Sequence, residues 1–381
     1  MPLALSPLDP ATLSEPARKV LGGPAPLRMM AARGLAPLPK AGDLVSVVYQ
    51  LALCADAGLS AAAQKTAGEL PEKILGTALA DPALDPHVID FFASRVVARG
   101  ALIDAVLLNR ATADETIADL AGKLGERELE IVAQLEVRLL RHPAIIGALY
   151  MNPRARMSTV DRAVELAVRN RVAVPGVPGW EDVVAAVLGT GASAVSASED
   201  DTFAAAAAVG IGDRPEARAV LAAVAAEEGA EAGAEDRVTA EKDERKTPIE
   251  KLSIPGKMRM ATIGNAFARS ILVRDANKQV ALAAIRSPGV TDSEVVKYSG
   301  NRSLCDDVVR VIATAKDYTK IYQVKVNLVN NPKCPLGAAM KFLPFLHDKD
   351  LRAVARSKGI PSALVSQASK LVSAKQKGGG K

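Results

Sequence analysis

Four helix-breaking turns recur along the 381-residue chain, and their spacing limits the fold more than any other feature. The first is Leu107-Leu108-Asn109-Arg110, followed by Thr112-Ala113-Asp114-Glu115. The second is Tyr150-Met151-Asn152-Pro153, followed by Ser158 and Thr159. The third is Ile285-Arg286-Ser287-Pro288 with Thr291-Asp292-Ser293-Glu294, and the fourth is Val329-Asn330-Asn331-Pro332 with Pro335. Arg110 and Pro153 lie 43 residues apart, and Pro288 and Pro332 lie 44 apart. In three of the four turns a proline follows Asn or Ser and opposes continuation of the helix. Thr112/Glu115 and Thr291/Glu294 have the form of a capping box, in which Thr accepts from a backbone amide and Glu reaches back. A unit of this length reads as a helix pair, which cannot bury its apolar face alone and must stack on its neighbours. An irregular helical bundle with recurring Asn-Pro turns fits the same breaks.

Composition favours helices of either arrangement. Apolar residues make up 49% of the chain but aromatic residues only 3%, so the core must be built from Ala, Leu and Val. Ala and Leu are strong helix formers. The shortage of rings argues against an aromatic-rich β-sandwich and against a stacking platform for single-stranded nucleic acid. From Asp43 to about Leu188 short helices succeed one another. Leu44, Val47, Val48 and Leu51 show the i, i+3, i+4, i+7 spacing of one buried face. The expected class is all-α.

The net charge of +5 conceals three different segments. Residues 1–190 carry 19 basic and 21 acidic side chains, residues 191–245 carry 5 and 13, and residues 246–381 carry 24 and 9. The organisation read from this is a Pro/Ala-rich arm over 1–40 and an N-terminal helical-repeat segment over 41–189. An acidic Ala/Gly-rich linker follows over 190–247, then a basic helical-repeat domain over 248–374 and a disordered Lys/Gly tail over 375–381. The arm holds eight prolines and one expected short helix near Glu15–Leu21. Within the linker an Ala-rich helix is expected at 215–228. The acidic linker could also fold back on the basic domain and compete with its partner.

The most distinctive sequence lies in the last third: RSILVRDANK over Arg269–Lys278, IRSPGVTDSE over Ile285–Glu294 and NLVNNPKCP over Asn327–Pro335. FLPFLHDKDL over Phe342–Leu351 and ARSKGIP over Ala355–Pro361 complete it. These segments resemble bacterial helical-repeat proteins of the HEAT/armadillo-like α-solenoid class. The resemblance covers roughly 250–372, with weaker echoes at 100–172. It implies a fold and no reaction.

No chemistry-bearing motif emerges. Gly122-Lys123 and Gly256-Lys257 lack the other residues of a phosphate-binding loop. No GxGxxG follows a strand, and no GxSxG elbow exists. His87, His142 and His347 have no HxxxH or HExxH spacing, and Cys54, Cys305 and Cys334 form no CxxC pair. The thiols read as free and mostly buried in a reducing compartment. Asp306 and Asp307 suit the first turn of a helix, where negative charge meets the dipole. Asn152 and Asn331 could bind an extended partner from a solenoid ridge, but turn formation explains them without one. No signal peptide or membrane span is read, so the expected location is cytoplasmic. No catalytic residue, cofactor, metal or small-molecule substrate is expected.

What remains is the basic domain. Its candidate partner-binding residues are Arg302, Lys316, Lys320, Lys325, Lys333, Lys341, Arg352, Arg356 and Lys358. Lys316 and Lys320, and likewise Arg352 and Arg356, are four apart and share a helix face where the helix is continuous. Phe342 and Phe345 fit an apolar helix face and are expected in the core, as are Ile321, Val324 and Leu328. The expected function is a non-enzymatic protein–protein interaction scaffold or adaptor. The alternative is nucleic-acid binding through phosphate contacts of the basic domain.

Overall fold

The computed structural model describes residues 3–190, 197–211 and 247–378. They form twenty-four α-helices and one 3-10 turn, with no strand among the described residues. The chain divides into two compact units, Met1–Gly176 and Val177–Lys381. The division falls between Pro175 and Pro178, ahead of the composition step at residue 190.

The first unit opens with α1 (Glu15–Leu21), α2 (Ala25–Ala32), α3 (Ala41–Ala52) and α4 (Ala57–Glu69). It continues through α5 (Glu72–Leu79), α6 (Pro86–Val96), α7 (Gly100–Leu108) and α8 (Asp114–Ala121). It ends with α9 (Glu126–Ala133), α10 (Glu136–Arg141), α11 (Ala144–Met151) and α12 (Met157–Arg169). Their packing follows two rows: α3 lies on α5, α5 on α7, α7 on α9 and α9 on α12, while α4 lies on α6, α6 on α8 and α8 on α11. The face expected of α3 is buried, with Leu44, Val47, Val48 and Leu51 all inside.

Within the Pro/Ala-rich arm, residues 3–40 are fastened to the helices that follow. The short helix expected at Glu15–Leu21 is present, and a second follows at Ala25–Ala32. Each has a proline in its first turn, where the missing amide costs nothing and the fixed φ suits the helix. Leu8 and Leu13 are buried. Tyr49 Oη donates to the Ser6 carbonyl at 2.7 Å, and the Leu8 amide donates to Gln50 Oε1 at 2.9 Å. Both bonds fasten the arm to α3.

The second unit opens with α13 (Trp180–Thr190), α14 (Ala197–Gly210), α15 (Ile254–Ile263) and α16 (Ala266–Leu272). It continues with α17 (Lys278–Arg286), α18 (Asp292–Gly300), α19 (Asp306–Thr314) and α20 (Lys316–Lys320). It ends with α21 (Tyr322–Asn330), α22 (Leu336–Phe342), α23 (Asp348–Arg356) and α24 (Ser362–Gly378). Here α13 and α14 lie on α15, α15 on α17 and α17 on α19. Farther on, α18 packs on α21 and α21 on α23, and α24 closes over α22 and α23. The segment expected to be linker therefore contributes α14, whose Phe203 and Ala206 are buried. The helix expected at 215–228, and with it the idea that the acidic segment masks the basic domain, lies outside the described residues. The last helix runs to Gly378, into the expected tail.

The recurrent turns are joined to the structure about thirty residues upstream. Asn109 Nδ2 donates to the carbonyls of Leu79 (2.7 Å) and Asp81 (3.0 Å). Asn152 Nδ2 donates to Ala121 (2.7 Å) and Leu124 (3.1 Å), and Asn331 Nδ2 to Ser299 (3.0 Å) and Asn301 (3.3 Å). At the third turn Ser287 Oγ donates to the Thr262 carbonyl at 2.8 Å. Each Asn also accepts, through Oδ1, from the amide two residues on, which forms the turn itself. Asn152 and Asn331 are thus committed within the fold as turn formers.

The two expected capping boxes differ. Thr291 and Glu294 form theirs at the start of α18. Thr112 instead points inward and donates to the Val106 carbonyl at 2.6 Å, so α8 starts after Ala113 without a side-chain cap.

Candidate protein-interaction surface

Eight of the nine basic residues fall into two groups. Lys320 pairs with Asp317, Nζ to Oδ1 at 2.6 Å, within the short helix α20. Lys333 Nζ donates to the Leu304 carbonyl at 2.7 Å, and Arg302 Nη2 to the Asn330 carbonyl at 3.3 Å. These three are engaged within the fold. Lys316, Lys341, Arg352, Arg356 and Lys358 are exposed and have no ion-pair partner among the described residues. Lys316 and Lys320 share α20, which ends before Ile321, and Arg352 and Arg356 lie one turn apart on α23.

Lys325 is the residue around which other groups gather. It sits on α21, half-buried, with Nζ 5.5 Å from the centre of the Phe345 ring. Phe345 is 65% exposed, against the expectation that it joins the core, and Phe342 is half-buried. The cause is the 3-10 turn Leu343–Phe345, in which residues three apart share a face. Leu343 and Leu346 are buried on that face, which leaves Phe345 outside it. Val324 and Leu328 fill the core beneath, while Ile321 is half-buried between α20 and α21.

Beside this ring lies a cluster that sequence reasoning missed. The Tyr322 and His347 rings lie against each other with centroids 4.2 Å apart, tilted by 37°. Tyr322 Oη accepts from the His347 amide at 2.9 Å and donates to Asp350 Oδ2. Partial burial and the bond to Asp350 raise the Tyr322 pKa, so the phenol keeps its proton. The only trace in the sequence is that Tyr322 and Lys325 are three apart on one helix, while Phe345 and His347 are two apart in the facing loop.

A Lys ammonium above an exposed ring is worth roughly 0.5–1 kcal/mol, and more when a partner excludes water. Phe345 supplies an exposed apolar anchor with a cation over it, and α22 and α23 carry the exposed, unpaired cations Lys341, Arg352 and Arg356. Such a surface can take an acidic, partly apolar partner.

No family model, curated protein or solved structure matches this chain. Among the described residues no group of His, Cys, Asp and Glu could hold a metal ion, and no helix is long and apolar enough to cross a membrane.

Proposed function

We propose that the protein is a non-enzymatic interaction scaffold built on stacked helix pairs of the HEAT-like α-solenoid kind. Its second unit would bind an acidic protein partner through the Phe345 patch. The exposed Phe345 ring beneath Lys325 is the observation that carries this reading, because a large apolar side chain is left outside a core that had room for its neighbours. The two rows of successively packed helices in the first unit support the repeat reading. Three free cysteines fit a reducing cytoplasmic compartment.

The test compares the full chain with Phe345→Ser and with Lys341→Glu/Arg352→Glu in affinity capture from cells, followed by reconstitution with the purified partner. One acidic partner should bind the wild type and weaken at least tenfold with either variant, at unchanged melting temperature. Equal binding by all three would overturn the assignment of the patch. Titration with random-sequence duplex DNA at two salt concentrations addresses the nucleic-acid alternative. A slope near −0.9 per phosphate contact would replace a protein partner with a phosphate backbone.

A further inference from the structure

The first unit contains a cleft of about 760 Å³ between the N-terminal arm, α1, α2 and the end of α3. That volume lies within the roughly 300–1,000 Å³ of small-molecule sites. Its walls are largely apolar, with Pro7 and Leu13 from the arm and Leu51, Leu53 and Leu59 from the facing helices.

Two arginines, Arg18 and Arg28, line the same cleft, and neither forms an ion pair with a described residue. Arg28 Nε is buried and has no hydrogen-bond partner, alone in this among the described side chains. Buried polar groups are otherwise satisfied in more than about nine cases in ten, and each exception calls for a reason. Arg28 Nε is closed to water, so a molecule in the cleft would meet the other N–H groups of the guanidinium. The one carboxylate in the lining, Asp56, pairs with neither arginine. Its Oδ1 accepts from the amides of Gly58 (2.9 Å) and Leu59 (3.1 Å) at the start of α4. A planar guanidinium is suited to carboxylate or phosphate oxygens.

We infer that this cleft binds an amphiphilic oxyanion, an acyl chain against the Leu/Pro walls with its carboxylate or phosphate head on Arg28 and Arg18. The arm that forms one wall is fixed by the Tyr49–Ser6 and Gln50–Leu8 bonds, so the cleft is formed before the ligand arrives.

The full chain is titrated by calorimetry with dodecanoate, dodecyl phosphate, dodecanol and inorganic phosphate, each below its aggregation threshold. Cys54, half-buried in the lining, reports occupancy through its rate of alkylation relative to Cys305. One of the two anionic amphiphiles should bind at one site and slow Cys54 alkylation at least fivefold, and the tighter of the two identifies the head group. Dodecanol and inorganic phosphate should each bind at least tenfold more weakly, and Arg28→Met should lower affinity at least tenfold. If Arg28→Met fails to fold, Arg18→Met, at an exposed position, carries the same comparison. The inference is overturned by absence of binding, by equal binding of dodecanol or inorganic phosphate, or by a folded variant that binds like the wild type.

Discussion

Asn152 combines two tasks in one side chain. Its amide nitrogen satisfies the Ala121 and Leu124 carbonyls, and its amide oxygen shapes the turn by accepting from Arg154. Truncation leaves two carbonyls without this donor in a site only 3% exposed. Asn152→Ala is expected to cost about 2–4 kcal/mol, three lost bonds of which two leave desolvated acceptors, measured by urea denaturation. Asn152→Asp keeps the turn but removes the donor and should lie at the upper end. Cysteine reactivity separates by environment in the same way. Burial pushes the Cys334 thiol up to about 11, so little thiolate exists at pH 8. Iodoacetamide at that pH should label Cys54 and Cys305, both half-buried, well before Cys334. Comparable rates at all three would contradict the packing around Cys334.

Between elements, ion pairs on buried carboxylates join helices that are two apart in chain order. Arg269 on α16 holds Glu294 on α18 through two bonds of 2.9 Å and donates to the Gly264 carbonyl at 2.6 Å. Asp114, at the start of α8, accepts from Arg138 at 3.0 Å and from Arg141 at 2.5 and 2.8 Å. Burial alone would raise the Glu294 pKa. The bonds from Arg269 and Thr291 outweigh it and hold the carboxyl below its ordinary 4.5. Because the folded value is the lower one, this stabilisation is complete above pH 4.5 and is lost as pH falls through the folded value. Glu294→Gln should lower stability at pH 7 by about 3–5 kcal/mol, leaving Arg269 without its charge partner. It should also flatten the acid limb of the stability profile in thermal melts between pH 7 and 3. How much of this was legible depends on range. The helix at Glu15–Leu21, the buried face of α3 and the Thr291 box follow from residues within a few positions of each other. Thr112 has the same local pattern as Thr291 but turns toward Val106, because its place in the interior overrides the local cap. Phe345 matched an apolar periodicity that the 3-10 turn breaks. The Tyr322–His347–Asp350 cluster and the Arg28 cleft join residues whose proximity arises only from packing, so no spacing announces them.

At the scale of the molecule, each compact unit has its own core of aliphatic side chains. The bonds of Asn109 and Asn152 and the Asp114–Arg138–Arg141 cluster all close within residues 1–176. That fragment is expected to fold alone, giving a helical circular dichroism spectrum and one cooperative melt; a non-cooperative trace would show that it depends on the remainder. The direction of the turn bonds has a consequence for synthesis. In all four the donor lies downstream and the acceptor upstream, from Asn109 to Leu79, Asn152 to Ala121, Ser287 to Thr262 and Asn331 to Ser299. A chain leaving the ribosome therefore carries, at each moment, a most recent helix pair whose carbonyls still await a side chain some thirty residues away. Translation pauses within those intervals would prolong the exposure of an unfinished edge, whereas pauses once Asn109, Asn152 or Asn331 has cleared the ribosomal exit tunnel would leave each completed pair sealed.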